Sequence, residues 1–284
     1  MLNVCTVSTP DYVDHTLALL YSMAAFRPVR LHCLVSERRR DLEDIGRSLP
    51  VENGELVFYA LDDIYRETDF EKLPGDRDRL RWTSKSRLMA HLLQSGDIRS
   101  LLYLDNDMCF FDDFQFLFDE LESHSLLLTP HWRPLDPEVN ETQFFCNFRD
   151  GLYNAGFLGA SVEGLDALNW WHRACLHRCE FDYGNGFFVD QRYLDAFPVY
   201  FEGVKILKHL GCNVAQWNAD FLWREDKDGR IWINGEWPLV FIHFAGVTID
   251  NIENGTDAAL KPQLAAHRFW IEKAVRQISD HRRA

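Results

Sequence analysis

The chain has 284 residues, 46% hydrophobic and 26% charged, a soluble globular composition long enough for one large α/β domain or two small ones. Its net charge of −14 argues against a nucleic-acid binder, whose footprint is a basic surface, and is compatible with a carboxylate cluster that holds a divalent cation. Seven irregularly spaced cysteines read as reduced thiols in a cytosolic protein, and neither a secretory signal nor a membrane-spanning apolar run is legible.

In chain order, Leu2 to Thr9 alternates β-branched and small residues and meets Pro10, which predicts a first strand ending in a loop. Tyr12 to Phe26 carries apolar residues at helical spacing. Val29 to Ser36 reads as a second strand, Glu37 to Leu49 as an amphipathic helix, and Gly54 to Leu61 as a third strand. A polar, charge-rich segment follows to about Arg79, then a helix from Ser84 that stops at Gly96. Ser100 to Asp105 is apolar almost throughout, as expected of a central strand covered on both faces.

Beyond Asp113, strands are expected over 125–132 and 151–162, around a long polar loop from Arg133 to Asp150. A helix is expected over 164–180 and a short one over 188–198, stopped by Pro198. A strand and loop should follow over 204–218, paired strands over 229–235 and 237–246, and a closing helix over 260–284. The alternation of strands and helices predicts an α/β fold with a mixed, mainly parallel sheet. No repeat or linker breaks the chain, so one domain is expected. Its expected divisions are 1–113, 114–250 and a helical tail over 251–284. Right-handed crossovers bring the C-terminal ends of the strands to one edge, where open α/β sheets bind ligands, and this makes Thr6, Ser8 and Tyr12 neighbours of Asp105 and Asp107.

The stretch Leu101-Leu-Tyr-Leu-Asp105-Asn106-Asp107 concentrates the chemistry. Carboxylates two positions apart on an extended segment point the same way and can face one ion. Hard cations such as Mg2+ and Mn2+ take oxygen ligands and keep positions open for substrate phosphates. The other reading is an Asx-type turn that closes the strand with both acids solvated. Nine Trp and 21 Phe suit sugar or base platforms, although such residues fill cores more often. His172, Cys175 and Cys179 share a helical face without a standard zinc spacing. Gly184 to Gly186 reads as a flexible turn able to cover a site, and lacks the strand-to-helix Gly motif of a phosphate cradle.

The run Leu102 to Asp107, followed by Asp112-Asp113 and Phe116 to Leu121, resembles the DxD region of GT-A fold glycosyltransferases, and of glycosyltransferase family 8 and its bacterial relatives in particular. Five further blocks stand in the family's order: Thr6 to Met23 before this run, and Tyr153 to Ser161, Asp190 to Phe197, Gly211 to Asn218 and Phe241 to Gly246 after it. The resemblance implies a metal-dependent transferase that moves a sugar from a nucleoside diphosphate sugar, a UDP-sugar first, to a glycan, lipid-linked or protein acceptor. Family 8 enzymes retain anomeric configuration, so retention is implied as well. The resemblance makes Asp105, Asp107 and His243 metal ligands, two carboxylates and an imidazole that suit Mn2+ better than Mg2+. It makes Thr6, Ser8 and Tyr12 uridine contacts and sets Lys85 near the diphosphate. Asn106, Asn154, Gly156, Asp190 and Gln191 fall at its donor-sugar positions, with Asp190 or Gln191 facing the anomeric carbon as the catalytic group. Trp217 and Asn218 match its Trp-Asn segment.

Relatives often carry a lysine shortly after the His-x-x-Gly run; this chain reads His243-Phe-Ala-Gly-Val-Thr-Ile-Asp, and Lys261 is the next one. The basic, amphipathic C-terminal helix suits either ordinary packing or a peripheral contact with the inner face of an anionic membrane. Two readings compete with the transferase. One is a phosphotransferase or phosphatase with Asp105 as nucleophile, a scheme that normally sets its motif on the first strand. The other is a binding protein for nucleotide sugars without catalysis.

Overall fold

A computed structural model describes residues 1–39 and 48–281. The first half runs β1 (Leu2–Ser8), α1 (Val13–Ala24), β2 (Val29–Val35), β3 (Ser48–Val51), β4 (Gly54–Tyr59), α2 (Leu61–Ile64), α3 (Arg77–Gln94), β5 (Ser100–Leu104) and β6 (Met108–Phe110). It continues with α4 (Gln115–Glu120), β7 (Leu126–Pro130), α5 (Glu141–Arg149), β8 (Tyr153–Ser161) and α6 (Leu165–His177). The remainder holds β9 (Phe181–Asp182), β10 (Phe187–Phe188), α7 (Phe197–Tyr200), β11 (Val204–Ile206), β12 (Arg224–Lys227), β13 (Arg230–Ile233), β14 (Trp237–Pro238), β15 (Phe241–His243), α8 (Gly246–Glu253) and α9 (Lys261–His281).

The main sheet has the order β11-β7-β8-β5-β1-β2-β4-β3. Six of its strands run one way, while β8 and the edge strand β3 run against them. This is the mixed, mainly parallel sheet expected. In β5, Leu102 and Leu104 face the core under α1 and α9, while Leu101 and Tyr103 face the core under α3 and α6. Period-two alternation with both faces apolar is what a strand buried on both sides requires.

The sequence reading fails where local composition hides tertiary contacts. The expected helix over 37–49 falls largely on residues 40–47, outside the described residues, and its end at Ser48–Leu49 belongs to β3, paired antiparallel with β4. The helix expected from Ser84 starts at Arg77, because Asp76 caps it by accepting from the Arg79 amide at 2.8 Å. The long polar loop contains α5, whose cap Asn140 accepts from the Gln143 amide at 3.0 Å. Pro198 does not stop a helix. It sits in the first turn of α7, where its missing N–H costs nothing. The stretch 237–246 is split: β14 pairs with β13, and β15 leaves that hairpin to pair with β6. All seven cysteines are free and buried. Among the described residues, no helix is long and apolar enough to cross a membrane.

Gly211 controls where β15 goes. Its carbonyl accepts from the Val240 amide at 2.8 Å, and a Cβ on it would lie 1.8 Å from the Pro238 carbonyl oxygen. Gly211→Ala should destabilise the protein by about 3 kcal/mol through this backbone clash, measured as a lower urea midpoint with an unchanged slope.

Candidate active site

The acidic motif is not extended. Its residues form a tight turn between β5 and β6, closed by a bond from the Met108 amide to the Asp105 carbonyl at 3.2 Å. The turn reading is therefore correct for the backbone, but the carboxylates are not merely solvated. β6 pairs with β15 so that Met108 lies opposite His243, and the Phe244 amide donates to the Asp107 carbonyl at 2.9 Å. This register carries the imidazole of His243 to the acids: one ligand atom each from Asp105, Asp107 and His243 all lie within 4.8 Å of one another.

The donor set fits a divalent ion. His243 Nε2 lies 3.0 Å from Asp107 Oδ1, yet neither Asp107 Oδ1 nor His243 Nδ1 has a hydrogen-bond partner, and both atoms are buried. Buried polar atoms without partners are costly, and a cation that draws on carboxylate and imidazole lone pairs would remove that cost at the cluster. Burial opposes the charge on both groups, but their mutual attraction wins: the His243 imidazole is held above its usual pKa and the Asp107 carboxyl is lowered to about 2.

Lys85, from α3, closes the other side. Its ammonium lies 3.1 Å from Asp105 Oδ1, 3.2 Å from Asp190 Oδ2 and 3.2 Å from the Ala155 carbonyl. Burial alone would favour neutral lysine, but the two carboxylates carry its pKa well above the usual value. A solvated helix lysine is excluded, since Lys85 is 4% exposed. Asp190 is pushed up by its own burial and by Asp105, with Lys85 opposing. The Tyr103 hydroxyl donates to Asp105 Oδ1 at 2.8 Å. Asp190 follows Val189, a β-branched residue at φ 41°, and its carbonyl accepts from Trp171 Nε1 at 2.8 Å. Such strain in a β-branched residue persists only where packing over-determines the backbone.

Around this cluster runs a buried amide network. Asn154 Oδ1 accepts from the Gly156 amide at 3.0 Å and from Asn213 Nδ2 at 3.1 Å, while its Nδ2 donates to Gln191 Oε1 at 3.3 Å. Gln191 is bonded at both ends: Oε1 also accepts from the Ala155 amide at 3.2 Å, and Nε2 donates to the Asp150 carbonyl at 3.0 Å. Asn106 donates to Ser8 Oγ at 3.1 Å, joining the ends of β5 and β1. Trp217 meets His243 edge-on at 5.2 Å between ring centroids.

The open space beside the cluster is lined by Val7, Tyr12, Arg81, Trp82, Lys85 and Tyr103 together with residues 105–107. Tyr12, 44% exposed, faces it. Thr6, Ser8 and Asn218 do not line it: Thr6 and Ser8 are buried under the strand exits, and Asn218 braces the backbone of Asn213 and Ala215. Arg81, Trp82 and Tyr103 escape the sequence reading. Arg81 and Trp82 lie one helical turn before Lys85, so the Asp76 cap would have brought them onto its face. Tyr103 lies two residues before Asp105 on the same side of β5.

This sheet, with its acidic turn at the end of a central strand, is the GT-A fold. The galactosyltransferase LgtC, solved with donor and acceptor sugar analogues, superposes with a TM-score of 0.58 at 18% identity, over 86% of this chain and 87% of that one. The glycosyltransferase GlyE of Streptococcus pneumoniae TIGR4 gives 0.54 at 15% identity, over 96% of this chain and 64% of that one. The chain belongs to the family of YfnF of Bacillus subtilis (strain 168), an uncharacterized protein with which it is 32% identical over 259 residues, 87% of this chain and 82% of that protein. It is also 34% identical to YfnD of the same organism over 174 residues, 59% of this chain, and so spans about half the length of that relative. No family model matches the chain.

Two outcomes test the metal site. A Cβ at Gly156 would lie 2.6 Å from His243 Cε1 and 2.9 Å from Asp105 Oδ2, so Gly156→Ala should weaken Mn2+ binding by about tenfold or more, read by calorimetry. Because the metal needs a neutral imidazole and His243 holds its proton to a raised pH, binding should release a proton. Mn2+ affinity should then fall as pH drops through the His243 pKa and level off above it.

Proposed function

We propose that the protein is a retaining, Mn2+-dependent glycosyltransferase that uses a nucleoside diphosphate sugar, a UDP-sugar in the first instance. The observation that carries this reading is the convergence of Asp105, Asp107 and His243 on one point beside the buried Lys85–Asp190 pair. The acceptor class fits a glycan, a lipid-linked sugar or a protein, in keeping with LgtC, which was solved with acceptor as well as donor sugar analogues.

The ion, held by Asp105, Asp107 and His243, would offset the negative charge that develops on the departing diphosphate. Tyr12, at the rim of the open space, would stack on the base. Lys85 keeps Asp105 and Asp190 at fixed positions and itself stays charged, so the two acids need not repel one another. Asp190 would be the carboxylate that faces a cation-like sugar, although it is buried against Lys85 and does not line the open space. Gln191, with both ends of its amide bonded, acts by holding Asn154 and the start of β8 in place. Val189 strain and the Trp171 bond keep Asp190 from rotating away. Thr6 and Ser8 shape the floor from beneath, as does Gly156 by leaving room for the imidazole. Trp217 orients His243 from the opposite side, and Asn218 braces the loop that carries it.

The phosphotransferase reading asks Asp105 to be a free nucleophile. Its Oδ1 instead accepts from Tyr103 and faces Lys85, and the motif follows the fourth strand of the parallel set. A cytoplasmic location at the inner membrane face agrees with such a role. The apolar stripe of α9, however, packs on α1 through Trp270 and Ala274, while Leu264 packs with Phe244, Ile252 and Leu260.

Hydrolysis of a panel of nucleotide sugars, with Mn2+ and with EDTA, tests the proposal. One donor should be cleaved, chelation should stop the reaction, and Asp107→Ala should reduce it by about a thousandfold. Tight donor binding without turnover would favour the binding-protein reading, and phosphate release from simple phosphoesters the phosphotransferase.

A further inference from the structure

A recess of about 270 Å³ opens between α3, α6 and the segment that joins α2 to α3. It shares no residue with the open space beside the metal cluster. Three cations converge on it, Arg66 and Lys72 from the joining segment and Arg87 from α3. Arg87 uses only its Nε, on the Ile64 carbonyl at 2.9 Å, and Arg66 only its main-chain amide, on Asp69 Oδ2 at 3.3 Å. Neither of them, nor Lys72, forms an ion pair among the described residues, and Asp69 is the acid in the lining. In a chain of net charge −14, unpaired cations gathered around a concave surface call for an anion.

The floor is apolar and already in place. Leu73 and Leu176 line it with the ring of Tyr65, which is 6% exposed. Tyr65 Oη lies 3.1 Å from Ser84 Oγ, and the rings of Tyr65 and His172 meet with centroids 5.7 Å apart. His172 shows what else the ligand carries. Burial, joined by the charge of Arg87, lowers its pKa to about 4, so the ring is neutral at pH 7. Its Nδ1 lies 3.1 Å from the Thr83 carbonyl and therefore holds the proton of the ring. Nε2 is left as a lone pair without a donor among the described residues, and a lone pair takes a hydroxyl, not an anion. The Asp69 carboxylate is a second acceptor on the same wall. Leu73 and Leu176 are half-buried, so neither would enter a bilayer, and the fitting ligand is a soluble molecule rather than a lipid headgroup.

We propose that this recess is a second binding site, for a sugar phosphate whose phosphate meets Arg66, Lys72 and Arg87 and whose hydroxyls meet His172 and Asp69. The Tyr65 ring and the two leucines receive the apolar face of the sugar. The site needs no metal and does not depend on the glycosyltransferase reading.

Calorimetry on the full chain in EDTA tests this with glucose 1-phosphate, glucose 6-phosphate, ribose 5-phosphate, glucose and inorganic phosphate. One of the sugar phosphates should bind about tenfold or more tighter than inorganic phosphate, and glucose should give no binding heat. Lys72→Ala and Arg87→Ala should each weaken that sugar phosphate by about tenfold, the loss of one charge-assisted contact. His172→Phe, which keeps a ring and removes Nε2, should lower its affinity towards that of inorganic phosphate and leave inorganic phosphate unchanged. The Arg66 and Lys72 side chains are exposed and hold no bond of the fold, so the double variant Arg66→Ala/Lys72→Ala keeps the test sound if Arg87→Ala unfolds. Wild-type affinity in that double variant overturns the proposal. So does an equal loss in Lys205→Ala, on β11 at the other end of the sheet, which would mean a general attraction of anions. Equal affinity for inorganic phosphate and the sugar phosphates overturns it too, as does a wild-type chain that binds none of the three.

Discussion

The antiparallel pairing of β6 with β15 is the constraint on which the site depends. It joins the residue after Asp107 to His243 across nearly half the chain, with His243 opposite Met108. A slip of one residue would turn the imidazole to the other face of the ribbon and dissolve the cluster. The register is held from both ends. Gly211 takes the amides at the start of β15, and the Asp107 carbonyl takes the amide after its end. Beneath it, Phe110, Phe157 and Phe241 stack and exclude water.

The second organising feature is electrostatic. Asp105 is shared between two centres of positive charge, the Lys85 ammonium on one side and the proposed cation on the other. Buried charges are tolerated only when paired and bonded, and Lys85 meets that condition with two carboxylates and one carbonyl. The amide network of Asn154, Gln191 and Asn213 extends the same logic, and of its side-chain nitrogen and oxygen atoms Asn213 Oδ1 alone is buried without a partner. A network satisfied to this degree is rigid, and rigid ligands hold a metal and its substrate without reorganisation.

Much of this was legible in one dimension. The both-faces-apolar pattern of 101–104 marked a central strand, and the ordered blocks from Thr6 to Gly246 pointed to the GT-A fold. The misread segments share a cause. The start of α3 depended on a single capping aspartate inside a charged run, and α5 on a capping asparagine inside a polar one. Pro198 was judged by its usual effect within a helix, whereas its effect depends on position in the first turn. The stretch 237–246 looked continuous because periodicity cannot say that one strand changes partner halfway.

By itself, the sequence determined the sheet and its helical layers, because strand alternation and helical spacing are local properties, and the family resemblance named the three residues that converge at the cluster. The tertiary structure decided the rest. It turned Asp105-Asn106-Asp107 into a tight turn, buried Lys85 between two acids, bonded both ends of the Gln191 amide, and brought α9 beside Asp107. Each of these outcomes depends on which groups meet across distant segments, where burial and charge pairing set the free energy. No local pattern encodes that meeting.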